Sequence, residues 1–308
     1  MLSKINKVNI SRRSCLYGVG RLLLPAGMLQ LVGQSTRSTF GGLNFSPYID
    51  GQSPERSSRP ISEKQIRARM AIIAPYTEWI RTYGVSGGLE MSGAIAHELK
   101  LKAAIGVWLG RDRAANDRQL QAGIDCAKAG HADMLIVGSE TLLRGDLKTR
   151  QLCEYLKEAR KEIPKSVPIT TGDGYAQILG NAELVEHLDL VFYNDYSYWG
   201  GLPVEKAIAR LDGHYSEMTV QAGEKPCWLS EHGWPDQGES VGAAEATPEN
   251  AAAYMGEFLR WAKGRGVRAF YFEAFDEKWK SEHEGERGAH WGVWDSEGIL
   301  KPHYRAIM

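Results

Sequence analysis

Eight short β-rich runs separated by amphipathic stretches leave this 308-residue chain few architectures to choose from. The runs are "GLNFSPY" (42–48), "WIRTYGV" (79–85), "KAAIGVWL" (102–109), "DMLIVGSE" (133–140), "VPITTGD" (167–173), "LDLVFYNDY" (188–196), "PCWLSEHGW" (226–234) and "VRAFYFEAF" (267–275). Helical patterns lie between them, among them "SEKQIRARMAII", "NDRQLQAGIDCAKAG", "LKTRQLCEYLKEARKEI", "PVEKAIARL" and "TPENAAAYMGEFLRWAKGRG", several opened by Ser, Asn or Thr and closed by Gly. Near-continuous apolar strands alternating with helices imply a parallel sheet covered by helices. Eight of them within about 270 residues favour an α/β fold of one domain, a closed (β/α)8 TIM barrel, over an open doubly wound sheet. No G-x-G-x-x-G or G-x-x-x-x-G-K-[ST] loop follows the first strand, so neither dinucleotide nor phosphate binding is expected. The segment after the last strand, "DEKWKSEHEGERGAHWGVWDSEGILKP", has no regular helical pattern and reads as a loop crossing the barrel mouth.

The expected organisation is a leader over 1–38 and a catalytic barrel over 39–308. Within the leader, "SRRSCL" ahead of a moderately apolar run resembles a twin-arginine export signal, which would send the protein to the periplasm; a disordered extension is the other reading. No other stretch approaches the roughly 18 apolar residues of a membrane span. Lys and Arg number 37 against 38 Asp and Glu, a balance with no electrostatic footprint for nucleic acid. Cys15, Cys126, Cys153 and Cys227 are dispersed, without a CxxC pair, and His283 and His290 are loosely spaced, so no metal site is expected. Nothing calls for a cofactor either, and a monomer is favoured.

In a barrel the C-terminal strand ends converge on one face, where reactions take place. Strand four ends at Glu140, strand seven at Glu231, and strand eight carries Glu273, Asp276 and Glu277. Strands four and seven face each other across the barrel, which brings Glu140 and Glu231 to a shared cleft. Two carboxyls flanking a cleft are the minimum equipment for cleaving a glycosidic bond. At a separation of about 5–5.5 Å the second acid attacks and configuration is retained, whereas about 6.5–9.5 Å leaves room for water and inversion. Such a pair pushes its own protonation equilibria apart, leaving one acid neutral and one ionised.

The residues also carry a resemblance. "LIVGSE", "WLSEHGWP", "FYFEAFDEKWK" and the closing "HWGVWDSEGILKP" resemble glycoside hydrolase family 17, the β-1,3-glucanases of clan A. More narrowly, "FSPYIDGQSPE", "IRTYGVSGG" and "VGSETLLRG" resemble its bacterial exo-β-1,3-glucanase and β-1,3-glucanosyltransferase-like branch. The resemblance implies a retaining enzyme acting on a β-glucan oligosaccharide or polysaccharide, with Glu231 as nucleophile and Glu140 as acid/base. It further implies that Tyr48, Arg81 and Tyr83 line the nonreducing-side subsite, and that Asp276, Glu277 and Lys280 help bind sugar hydroxyls. Many clan members carry Asn immediately before the acid/base; here Ser139 stands in its place, a shorter hydrogen-bonding group.

Tyr193, Asn194 and Tyr196 end strand six beside strand seven, where a tyrosine hydroxyl either holds the nucleophile or is buried structure. Trp108, Tyr198, Trp199, Trp234, Trp279 and Trp291 are sugar platforms or core, with Trp199 and Trp234 the better platforms because they directly follow strand ends. His232 has no expected role as a base. A clan A enzyme acting on another β-linked glucan, or an inactive glucan-binding barrel, are the alternatives.

Overall fold

The computed structural model describes residues 39–56 and 60–308; the expected leader lies outside them. Eight strands, β1 (Phe40–Asn44), β2 (Thr77–Arg81), β3 (Lys102–Val107), β4 (Met134–Ser139), β5 (Ile169–Gly174), β6 (Val191–Asn194), β7 (Cys227–His232) and β8 (Arg268–Tyr271), close into a parallel barrel in chain order. β1 pairs with both β2 and β8. Helices ring it: α1 (Glu63–Ile73), α2 (Ser92–Glu98), α3 (Arg113–Lys128), α4 (Thr149–Glu162), α5 (Tyr175–Ile178), α6 (Ala182–Glu186), α7 (Val204–Ala222), α8 (Pro248–Arg265) and α9 (Ser281–Glu284). The architecture is the single-domain (β/α)8 barrel expected from the alternation of patterns.

Strand alternation builds two cores from one sheet. Trp79, Ala104, Met134, Ile136, Leu190, Phe192 and Phe270 fill the barrel, with Trp228 packed against them. Their neighbours in sequence, such as Ile80, Ala103, Ile105, Leu135, Val191, Tyr193 and Leu229, join the larger cluster shared with the helices. Trp79 meets Trp228 edge-on at 5.7 Å, and Phe192 meets Phe270 at 5.5 Å. A Cβ at Gly42 would stand 2.5 Å from the Phe270 ring, so glycine there admits that ring to the interior.

Local chemistry sets the helix ends. Ser62, Asp112 and Thr247 accept the backbone N–H three residues on, satisfying an otherwise unpaired donor of α1, α3 and α8. Gly266 closes α8 in the left-handed conformation. Asn116, expected to open α3, lies inside that helix and instead bonds both backbone groups of Gly110, at 2.7 and 2.8 Å. Helix α7 continues well past Leu211, where its apolar pattern fades, because Met218 and Ala222 still supply a buried face. After β8 the chain makes short turns, at Lys278–Lys280, α9, Glu286–Ala289 and Pro302–Tyr304, as the irregular sequence suggests.

Candidate active site

Both acids owe their direction to irregularities in the sheet. Leu229 faces the helices and Ser230 the interior, so strict alternation would turn Glu231 outward. The β6–β7 register shifts at Tyr193/Asn194 and the β7–β8 register shifts between Leu229 and His232. Glu231 therefore joins Ser230 on the inner side, while His232 returns to the helix layer. A third shift falls between Ile136 and Ser139 where β4 meets β5. There Gly138 has φ 87° and Glu140 φ 52°, a left-handed conformation that a residue with a side chain rarely adopts. Bulges at barrel rims re-aim side chains in this way.

The Glu231 carboxylate accepts from the Arg81 guanidinium and, at 2.8 Å, from the Tyr196 hydroxyl. Arg81 is fully buried and ties much of the site together. Its Nη1 donates to Asn44 Oδ1 at 2.9 Å and lies 3.3 Å from the Tyr83 hydroxyl; its Nη2 donates to Ser139 Oγ at 3.0 Å. One guanidinium thus joins the residue next to Glu140 to Glu231 itself. On the other side, Asn194 Nδ2 donates to Glu140 Oε1 at 2.7 Å, and Asn194 Oδ1 accepts from Ser230 Oγ. Burial, reinforced by the charge of Glu231, pushes the Glu140 carboxyl up to about 7. Burial and Glu231 also drive the Tyr83 and Tyr196 phenols well above their ordinary value, so both remain hydroxyl donors. The arrangement pairs a carboxyl that holds its proton near neutrality with one fixed by a cation and a phenol, suited to donating a proton and attacking with an anion at one centre.

The polar residues after β8 divide into two groups. Lys280 Nζ bridges Glu273 and Glu277, the latter at 2.8 Å, and Glu277 also accepts from Ser46. Burial raises Glu273 well above the carboxylate range; at Glu277 burial is outweighed by Lys280, and the net shift is downward. Asp276 turns away to Lys301, 2.8 Å distant and shared with Asp236, and accepts from Gly292 N at 2.9 Å. A cavity of about 190 Å³ beside these groups is lined by Tyr48, Asp50, Asp276, Glu277 and Trp279 among others. It lies between the loops after β1 and β8 and does not include either central acid.

Several expected assignments change. Arg81 contacts Glu231 from a fully enclosed position, so it does not line an open subsite. Tyr193 faces outward by alternation from Phe192 and packs against Tyr175, with no hydrogen-bond partner for its hydroxyl among the described residues. Trp234, 0% exposed, donates to Glu245 O at 2.8 Å and packs on Tyr198 and Tyr254, so it is core rather than platform. Trp199 is 42% exposed and Trp108 43% exposed, both beside barrel-mouth loops. His232 stacks on Phe258 at 3.6 Å, and burial lowers it to about 3, so it is a neutral packing group. Among the described residues no group of three or more His, Cys, Asp or Glu is arranged to hold a metal ion, and no helix is long and apolar enough to cross a membrane.

The sequence reading missed Asn44, Ser230, Asp173, Arg144 and Glu284. The Asn44 amide donates to the carbonyls of Ser230, Phe270 and Tyr271, joining β1 to β7 and β8. "LN" at the end of strand one was a visible signal, since a polar residue alternating inward must find partners. Glu284 accepts from Trp291 Nε1 at 3.1 Å, and burial raises its pKa; no periodic pattern marks that loop.

The family profile described as the BtgE/BtgC glycoside hydrolase domain matches residues 42–292. A glucan 1,3-beta-glucosidase of Schizosaccharomyces pombe is 31% identical over 243 residues, covering 70% of this chain and 73% of that protein. A probable glucan endo-1,3-beta-glucosidase, btgC, of Aspergillus clavatus is 31% identical over 299 residues, 85% of this chain but 42% of its own length. Among solved structures, the glycoside hydrolase family 17 beta-1,3-glucanosyltransferase of Rhizomucor miehei superposes with a TM-score of 0.76 at 28% identity, covering 86% of this chain and 96% of that one. An endo-laminarinase from Formosa, 17% identical with a TM-score of 0.75 over 87% of this chain and 86% of its own, shares the fold.

Proposed function

The chain belongs to the BtgE/BtgC glycoside hydrolases, of family 17 type, and from that premise we propose that it cleaves or transfers β-1,3-glucan by double displacement. Glu231 attacks the anomeric carbon while Glu140 protonates the departing oxygen; Glu140 then takes a proton from the incoming acceptor, and configuration is retained. The observation that carries this reading is the unequal dressing of two acids at one centre. Glu231 receives Arg81 and Tyr196, and Glu140, raised to about 7 by burial and by Glu231, receives the Asn194 amide. A water acceptor makes the reaction hydrolysis, and a glucan acceptor makes it transfer.

Trp199 at the mouth supports stacking on glucose rings, and the Glu273–Lys280–Glu277 group supports hydroxyl recognition beside Tyr48. The motifs "FSPYIDGQSPE" and "VGSETLLRG" support a place in the bacterial branch, and "SRRSCL" supports export to the periplasm. Incubation with β-1,3-oligosaccharides of defined length, followed by mass and linkage analysis, tests the function. Longer or branched products identify transfer, only shorter ones identify hydrolysis, and no conversion rejects the substrate class. Glu231→Gln should abolish nearly all turnover with the fold intact by far-UV circular dichroism; turnover at the wild-type rate removes the nucleophile assignment.

A further inference from the structure

Glu140 sits in a backbone conformation that its own residue type disfavours, so something outside the residue must hold it there. Three anchors are visible. Its N–H donates to Gly172 O at 2.7 Å. The next turn is fixed by Asp173, whose carboxylate accepts from Leu142 N at 2.8 Å and Leu143 N at 3.2 Å. The third anchor is Arg144. Its backbone N–H donates to Glu140 O at 2.9 Å, while its guanidinium donates to Ser139 O, to Leu109 O at 2.8 Å and to Asp146 Oδ2 at 2.8 Å. Trp108 covers the guanidinium at 4.2 Å. The carbonyls on both sides of the Glu140 peptide N–Cα–C unit are thereby held by one residue, which also ties them to the end of β3.

We infer that Arg144 is a positioning residue for Glu140, its planar fork fixing the left-handed peptide that aims the carboxyl. The inference rests on Glu140 being the acid/base. Lysine carries the same charge but no rigid fork, so it reaches one carbonyl at a time. Glu231, Asp173 and Arg144 act electrostatically on Glu140, Asn194 donates to it, and Arg81, Tyr83 and Tyr196 stand at the same centre. Arg81 is engaged by Glu231; Arg144 is the cation on the Glu140 loop, and a cation favours the ionised carboxyl, so removing it extends the protonated form to higher pH.

The test compares Arg144→Gln and Arg144→Lys with wild type on a laminari-oligosaccharide and on a 2,4-dinitrophenyl β-glucoside donor, whose leaving group departs without a proton. Arg144→Gln should lose about 100-fold in kcat/KM on the oligosaccharide, the size expected for roughly an ångström of misplacement, and far less on the activated donor. The alkaline limb of its kcat/KM profile should move to higher pH. Arg144→Lys should keep the limb near the wild-type position while still losing rate, and it serves as the second variant should the glutamine protein fail to fold. Wild-type kcat/KM in both variants, or equal losses on both donors with an unmoved limb, would overturn the inference. An oligosaccharide rate unchanged in Glu140→Gln would instead reject the acid/base assignment, a separable failure.

Discussion

A carboxyl buried beside another acid resists ionisation, and Glu140 is such a carboxyl; Glu231, at the same centre, instead receives a guanidinium and a phenol. The Tyr196 hydroxyl at 2.8 Å is one of two donors aimed at Glu231, and the proposed attack requires that carboxylate to keep its aim as it loses charge. Tyr196→Phe removes this donor and little volume. We expect a fall in kcat of roughly tenfold or more, the scale of a hydrogen bond to a charged group, with the thermal midpoint nearly unchanged. Steady-state rates beside an unfolding curve check it, and an unaltered kcat would show that Arg81 alone orients Glu231. Tyr196 could be singled out in the sequence because it ends a strand next to "LSEHGW". Arg144 and Asp173 could not, since their work is to hold backbone, and backbone contacts leave no residue pattern.

At the scale of elements, eight strands and the order of their ends were readable because near-continuous apolar runs between helices have few other solutions. The sides of the strands were less readable. Alternation correctly places Tyr193 outward, and a reading that grouped it with Asn194 and Tyr196 mixed two faces of β6. The same rule fails at Glu231, where a register shift overrides it. Exposure separates the two favoured tryptophans for a similar reason: Trp234 is drawn under the loop after β7 and bonded to Glu245 O, whereas Trp199 stays at the surface. Opposite losses follow. Trp234→Ala should cost about 3–5 kcal/mol of stability as a large core deletion. Trp199→Ala should leave the unfolding midpoint in place and raise KM for oligosaccharides. Paired denaturation and kinetic measurements check both; a destabilised Trp199→Ala with unchanged KM would assign that ring to packing.

For the whole molecule, the catalytic arrangement carries a pH-dependent cost. Glu140 is raised to about 7, so between the ordinary carboxylate range and about pH 7 the unfolded chain releases a proton that the folded one retains. Folding stability from this group is therefore complete below the unfolded pKa and is lost as pH rises through the folded one. Asp276, raised to about 7 chiefly by burial, acts in the same direction, while Glu277, lowered against its burial by Lys280, opposes it. Glu140→Gln removes one contribution. Its midpoint should match wild type near pH 4 and exceed it near pH 8, and each kcal/mol regained should raise it by roughly 2–4 °C. Thermal scans across that range check the sign; a variant less stable at pH 8 would mean that the carboxylate is favourable to the fold.

The register shifts along β4 and β7 bear on how such a barrel can vary. A substitution at Ile136, Val137, Leu229 or His232 alters a side chain and leaves the backbone path to the acids intact, unlike one at the left-handed Gly138, whereas losing one residue from either segment restores the plain over-under weave. The strand would still close the barrel and still bury its apolar row, yet its acid would point into the helix jacket. Chain length in these two places is thus under a stricter rule than composition, and a shortened relative could keep this shape while giving up its chemistry.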